Sequence, residues 1–162
     1  MSGCNTASLK IGIMAVVLVF AVLTCGRVDA QGLGSLDGSW EGELKITYDS
    51  LPSSGGSQTV WYRLAIQGSS AHIFYKSKGE VGELDDRKVE IARVGSNAVI
   101  ISIASGRDDD GTWVETWVFA VTLKDRNTLI AHFTRMVNNN DLPLSVAHSK
   151  FSRAAVGELR RR

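Results

Sequence analysis

Trp40-Glu41-Gly42-Glu43-Leu44-Lys45-Ile46-Thr47-Tyr48 alternates between two kinds of residue: Trp40, Gly42, Leu44, Ile46 and Tyr48 are apolar or small, and the residues between them are charged or polar. In an extended chain successive side chains point to opposite faces, so this stretch presents one apolar face and one solvated face. Wound into a helix, the same residues would give no continuous stripe. The stretch therefore reads as a half-buried β-strand. The same period of two returns in Thr59–Gln67, Ala71–Lys76, Lys88–Val94, Ala98–Ala104, Thr112–Leu123, Thr128–Val137 and Val146–Ala154. Turn-forming clusters separate these segments at Ser53–Ser57, Gly68-Ser69, Gly95–Asn97, Gly106–Gly111, Asp125–Asn127 and Asn138–Asp141. The expectation is an all-β chain of eight strands joined by short loops.

Hairpin geometry tests whether neighbouring strands agree about the buried face. A two-residue turn at Gly68-Ser69 sets Tyr62 opposite Tyr75, Leu64 opposite Ile73 and Ile66 opposite Ala71, all on one face. The other face then carries Arg63 beside Phe74 and Trp61 beside Lys76, where cations lie over rings. A three-residue turn at Gly95-Ser96-Asn97 places Val89 with Ile103, Ile91 with Ile101 and Arg93 with Val99. The segment Thr112–Leu123 differs from the rest because both of its faces are largely apolar: Trp113, Trp117, Phe119 and Val121 lie on one, Val114, Val118 and Ala120 on the other. Sequential strands with one apolar face each form an eight-stranded antiparallel up-and-down barrel, which abolishes exposed edges. Two packed sheets in a β-sandwich are the alternative.

The first thirty residues are of another kind. Lys10 precedes an apolar run from Ile11 to Leu23, and Val28-Asp29-Ala30 has the small-x-small form of a signal-peptidase site. The run falls short of the ~20 residues that cross a bilayer, so stable membrane insertion is not expected. The expected organisation is a secretory signal peptide over 1–30 and a single domain over 31–162, exported to the periplasm or beyond, with Arg160-Arg161-Arg162 as a frayed basic tail. Without Lys10, Arg27 and Asp29 the acidic and basic residues balance, which argues against nucleic acid as a partner. Both cysteines, Cys4 and Cys25, fall in the leader, so the domain relies on its core and not on disulfides or thiolate chemistry. A lipidated Cys25 is the rival reading of the leader.

Ahead of the first strand stands Leu36-Asp37-Gly38-Ser39-Trp40-Glu41-Gly42. Its Gly38-Ser39-Trp40 resembles the Gly-x-Trp signature of the lipocalins and, more broadly, of the calycin superfamily. The resemblance implies a barrel whose closed end is plugged by Trp40 and covered by an arginine from near the end of the last strand, for which Arg153 in Phe151-Ser152-Arg153 is the candidate. The Thr-Asp-Tyr motif typical of lipocalins is absent, since the corresponding loop reads Lys124-Asp125-Arg126-Asn127. The chain reads as an outlying member.

In such a barrel Tyr62, Tyr75, Trp113, Glu115, Trp117 and Phe119 face the interior, and a cavity with aromatic walls and few polar groups suits a small, mostly apolar ligand. The same rings equally suit a solid core. His132 has two registers. A two-residue turn at Asp125-Arg126 sets it opposite Phe119, where it would meet a ligand or a haem iron, as in the nitrobindin relatives of the superfamily. A three-residue loop sets Phe133 opposite Phe119 and Arg135 opposite Trp117, and turns His132 outward. Asp108-Asp109-Asp110-Gly111 lacks the spaced ligands of a calcium loop, and the connection with Glu80, Glu83, Asp85 and Asp86 reads as solvated. No metal site, cofactor or nucleophile–base pair is implied. The expected function is a monomeric, lipocalin-like carrier. A protein-interaction module or inhibitor with a solid core is the alternative, and a haem protein or an acid–base enzyme using Glu115 comes third.

Overall fold

The computed structural model describes residues 34–50, 58–84, 88–109, 111–145 and 149–162. The proposed leader, Cys4, Cys25, Asp85, Asp86, Asp110 and His148 lie outside the described residues. Nine strands follow in order: β1 (Gly38–Asp49), β2 (Thr59–Gln67), β3 (Ser70–Ser77), β4 (Glu80–Glu83), β5 (Lys88–Val94), β6 (Asn97–Asp108), β7 (Gly111–Asp125), β8 (Thr128–Asn139) and β9 (Lys150–Arg161). They form one antiparallel sheet in the order β4-β3-β2-β1-β9-β8-β7-β6-β5. Among the described residues the fold is therefore all-β, but the count of strands is nine, because Glu80–Glu83 pairs with β3 where a solvated connection was expected.

Each strand hydrogen-bonds to its neighbour in sequence except at one place, and the first and last strands pair with each other. The break lies between β4 and β5, so the ladder does not close into a barrel. Alternation along the sheet gives β4 and β5 the same direction. β3 and β5 approach each other across the break without forming a ladder, and the Leu84 amide donates to the Ile73 carbonyl beside it. Tyr62 on β2 touches Phe119 on β7, four places away in the sheet, so the sheet curls its apolar face inward around a shared core. Trp40, Leu44, Leu64, Ile73, Ile100 and Phe119 are wholly buried there. Among the described residues no helix is long and apolar enough to cross a membrane.

The β2–β3 hairpin has the expected register, with Tyr62 opposite Tyr75, Leu64 opposite Ile73 and Ile66 opposite Ala71. Gly68 makes the tight turn with φ of 54°, a conformation that favours glycine. On the outer face Arg63 lies 4.1 Å from the Phe74 ring centre and Lys76 lies 4.8 Å from that of Trp61. The β5–β6 hairpin differs from expectation by one residue. Val94 pairs with Asn97 around a two-residue Gly95-Ser96 turn, so Val89, Ile91 and Arg93 oppose Ser102, Ile100 and Ala98. Ala98, Ile100 and Ser102 are buried as a result, while Val99 and Ile103 face outward. In β6, as in Thr112–Leu123, both faces carry apolar residues, Ala98 and Ile100 on one and Val99, Ile101 and Ile103 on the other, so the pattern could not fix this register.

The end of the sheet that carries Trp40 corrects two further expectations. β9 starts at Lys150 and continues to Arg161, so Arg160 and Arg161 are strand residues paired with Thr128 and Trp40, not a frayed tail. The arginine over Trp40 is Arg161, 4.1 Å from the ring centre. Its guanidinium donates to the backbone carbonyls of Asp37, Ser35 and Arg126. Beneath it the Trp40 indole N–H donates to the Leu36 carbonyl at 2.8 Å. Gly38 has φ of 140°, and a Cβ there would come within 2.5 Å of the Arg161 guanidinium. That contact explains the glycine two residues before the tryptophan. Arg153, the expected cover, sits near the other end of β9, opposite Asp49 of β1.

Candidate functional site: an aromatic cup with a cationic edge

At the end of the sheet away from Trp40, a cavity of about 300 Å³ is lined by residues of β2, β3, β7, β8 and β9 together with Leu84. Its walls follow from the registers above. Tyr62 and Tyr75 are cross-strand partners on the inner face of β2 and β3. Trp117 is set opposite Arg135 by the β7–β8 pairing. That pairing shifts between Leu123 and Asp125 and then runs Phe119 against Phe133, the second of the two registers open from sequence.

Rings form the floor. Tyr62 and Tyr75 meet Trp117 edge-on at centroid separations of 5.8 and 5.7 Å. Below, Phe133 packs 4.6 Å from Tyr62 and 4.8 Å from Phe119. These are the tilted and edge-to-face separations favoured by the ring quadrupole. The interior under the cup is thus filled with side chains. Burial pushes the Tyr62 hydroxyl well above its ordinary value of 10.0, only partly opposed by the charges of Arg135 and Arg153. Tyr62 accordingly stays a neutral hydroxyl at physiological pH.

Cations form the edge. Arg135 donates from Nε to the buried carboxylate of Glu115 on β7. The same guanidinium group lies 5.4 Å from the centre of Trp117 and 4.8 Å from that of Phe151. Arg153 donates to Asp49 at 2.9 Å from Nε and 2.7 Å from a terminal nitrogen. Lys76 also lines the cavity. Two arginines held at the cavity edge by carboxylates suit an acidic group on a bound molecule, because guanidinium donors match a planar anion.

Of the residues singled out from sequence, Tyr62, Tyr75 and Trp117 line the cup. Phe119 lies wholly buried in the ring cluster below, and Glu115 stands behind Arg135. Trp113 belongs elsewhere: its ring lies over Gly106, where a Cβ would come within 2.6 Å of it. His132 is exposed on the outer face, opposite Ala120, and cannot meet a ligand or a haem iron inside. The reason is the bulge after Leu123, which moves every following side chain of the hairpin by one position and so to the opposite face. Lys76 was missed as a site residue, Arg135 was placed opposite Trp117 in one register but given no role, and Arg153 was assigned to Trp40 instead of to the cup. The period-two pattern identifies apolar walls, and a charged residue at a strand end reads as solvated in that pattern. Comparison with protein-family models, curated proteins and solved structures yields no match.

Proposed function

We propose that this is an exported, lipocalin-like carrier, periplasmic or extracellular, that holds a small, mostly apolar molecule with an acidic group in the cup at the open end. The observation that carries the reading is the open cavity of about 300 Å³ in which Tyr62, Tyr75 and Trp117 meet the edge formed by Arg135 and Arg153. That volume is at the small end for a ligand pocket. The apolar body would lie against the rings and the acidic group would meet the arginine side chains at the edge. Trp40 under Arg161 supports lipocalin likeness, since a tryptophan covered by a late arginine is what the resemblance implies. The β1–β9 pairing and the shared direction of β4 and β5 support a barrel interrupted at one strand.

Tryptophan fluorescence tests this reading. Titration with 1-anilinonaphthalene-8-sulfonate, an apolar aromatic anion, is expected to quench Trp117, and Trp117→Phe is expected to abolish most of that quenching. N-phenyl-1-naphthylamine, a neutral probe of similar body, is expected to bind at least ~10-fold more weakly for want of charged hydrogen bonds. Absence of quenching with both probes overturns the carrier reading. The second reading, a protein-interaction module or inhibitor on a solid scaffold, is favoured by the ring packing below the cup. It gains if neither probe binds.

A further inference from the structure

A second cavity, of about 390 Å³, lies at the break between β4 and β5 and is lined by Ser69–His72, Glu83, Leu84 and Val89. Its lining draws on both faces of the sheet. Ala71 and Leu84 belong to the core and Val89 packs against it, whereas Ser69, Ser70 and His72 are exposed. The cavity therefore runs inward from the surface between β3 and β5, where no ladder closes the gap. Among the described residues Leu84 alone lines both this cavity and the aromatic cup. It is 6% exposed, so its side chain lies between the two spaces. The Leu84 amide donates to the Ile73 carbonyl at 2.9 Å. That bond extends the β3–β4 ladder by one residue and turns Leu84 to the same face as Gly82, the partner of Tyr75. Glycine adds no side chain, and of Glu80–Leu84 only Leu84 is buried.

We propose that Leu84 is the specificity-determining residue of the cup: it walls the cup off from the break and sets the greatest length of apolar acid that fits. The inference rests on the carrier reading. In the sheet β3, β2 and β1 stand between β4 and β9, so Leu84 borders the cup from a different side than Arg135 and Arg153 do. A carboxylate held at the two arginines runs its chain across Tyr62, Tyr75 and Trp117 toward Leu84. Each methylene that leaves water along this path raises affinity about 4-fold. At Leu84 the chain meets a packed isobutyl group and gains nothing more. The break cavity lies on the far side, with Ala71 and Val89 as apolar lining. Cutting Leu84 back to alanine removes three carbons from the wall and joins that space to the cup. The ligand class is accordingly a short apolar carboxylic acid, not a long-chain one.

Straight-chain carboxylates from hexanoate to hexadecanoate serve as a ruler, each titrated below its micelle threshold to displace 1-anilinonaphthalene-8-sulfonate from protein expressed from the full sequence. In wild type, affinity is expected to rise about 4-fold per methylene up to a limiting length and then to stay level. In Leu84→Ala the rise is expected to continue for at least three further carbons, a gain of about 60-fold for acids beyond the wild-type limit. Leu84→Val keeps most of the packing. It is expected to move the limit by about one carbon, and it decides the question if Leu84→Ala does not fold. Val81→Ala, exposed on β4 and bordering neither cavity, is expected to leave the limit where it is. A limit at the same chain length in wild type and in the folded Leu84 variants overturns the inference. So does an affinity that climbs without a limit in wild type. In both cases the carrier reading stands. If the dye does not bind, or no acid displaces it, the carrier reading falls and the inference falls with it.

Discussion

Arg161 ties together the end of the sheet around Trp40. One guanidinium covers the Trp40 ring and donates to three backbone carbonyls. Replacing it by alanine removes the ring contact and leaves the carbonyls of Ser35, Asp37 and Arg126 to water. A loss of about 2–3 kcal/mol is expected in urea unfolding. Arg161→Lys is expected to recover little of this, because an ammonium lacks the planar fork that spans several acceptors. Arg153→Ala is expected to leave Trp40 untouched and to weaken binding of an anionic probe at the cup. If Arg153→Ala instead reproduces the stability loss of Arg161→Ala, the assignment of the two arginines is wrong. From sequence alone Trp40 was identifiable and its partner was not. The alternation that marks a strand is blurred in Ala154-Ala155-Val156-Gly157, and three arginines after it look like a solvated end.

The β7–β8 hairpin shows where pattern reading succeeds and where it stops. That Thr112–Leu123 and Thr128–Val137 are strands, and that Trp117 and Phe119 face inward, follows from alternation and is what the structure has. The partner of each ring depends on one bulged residue near Lys124, which neither composition nor period reveals. The Gly68-Ser69 turn contains no such residue, and there every expected pair is found. Of the site, Tyr62, Tyr75 and Trp117 were accessible to this reasoning, whereas the role of Arg135 and Arg153 at its edge was not. The observed register makes a paired prediction. Phe133→Ala opens a void among Tyr62, Trp117 and Phe119 and is expected to cost about 3–5 kcal/mol. His132→Ala, on the exposed face, is expected to stay within ~0.5 kcal/mol and to leave probe binding unchanged. Unfolding midpoints of the two variants, measured side by side, decide between the registers. In the rejected register their ranking would be reversed.

For the sheet as a whole, the weak place is the break between β4 and β5, where the hydrogen-bonded ladder stops although the chain continues in the same direction. β3 and β5 come close there without a hydrogen-bonded ladder, and a cavity of about 390 Å³ is lined by Ser69–His72, Glu83, Leu84 and Val89. Asp37 bridges this break at the end of the sheet that carries Trp40. One carboxylate oxygen accepts from the Gly68 amide in the β2–β3 turn at 2.8 Å and from Arg93 on β5 at 2.6 Å. The Arg93 hydrogen bond first, and then the Gly68 amide, hold the Asp37 carboxyl below its ordinary value of 3.8. A carboxylate depressed in this way contributes stability that is fully present above its unfolded value of about 4 and is lost as pH falls through the lower folded value. The Asp37 side chain is 48% exposed, so solvent screens the interaction and the contribution is modest. Asp37→Asn is therefore expected to lower the urea midpoint at neutral pH and to converge with wild type as the solution is acidified below about pH 4. Hydrogen exchange supplies the spatial readout. If Asp37 ties the two edges together, amides of Ser70–His72 and of β5 exchange faster in Asp37→Asn at neutral pH, while those of β7 and β8 keep their protection. Uniform acceleration across all strands would mean that Asp37 acts on global stability alone, and unchanged exchange at Ser70–His72 would mean that side-chain packing between β3 and β5 holds the break without it.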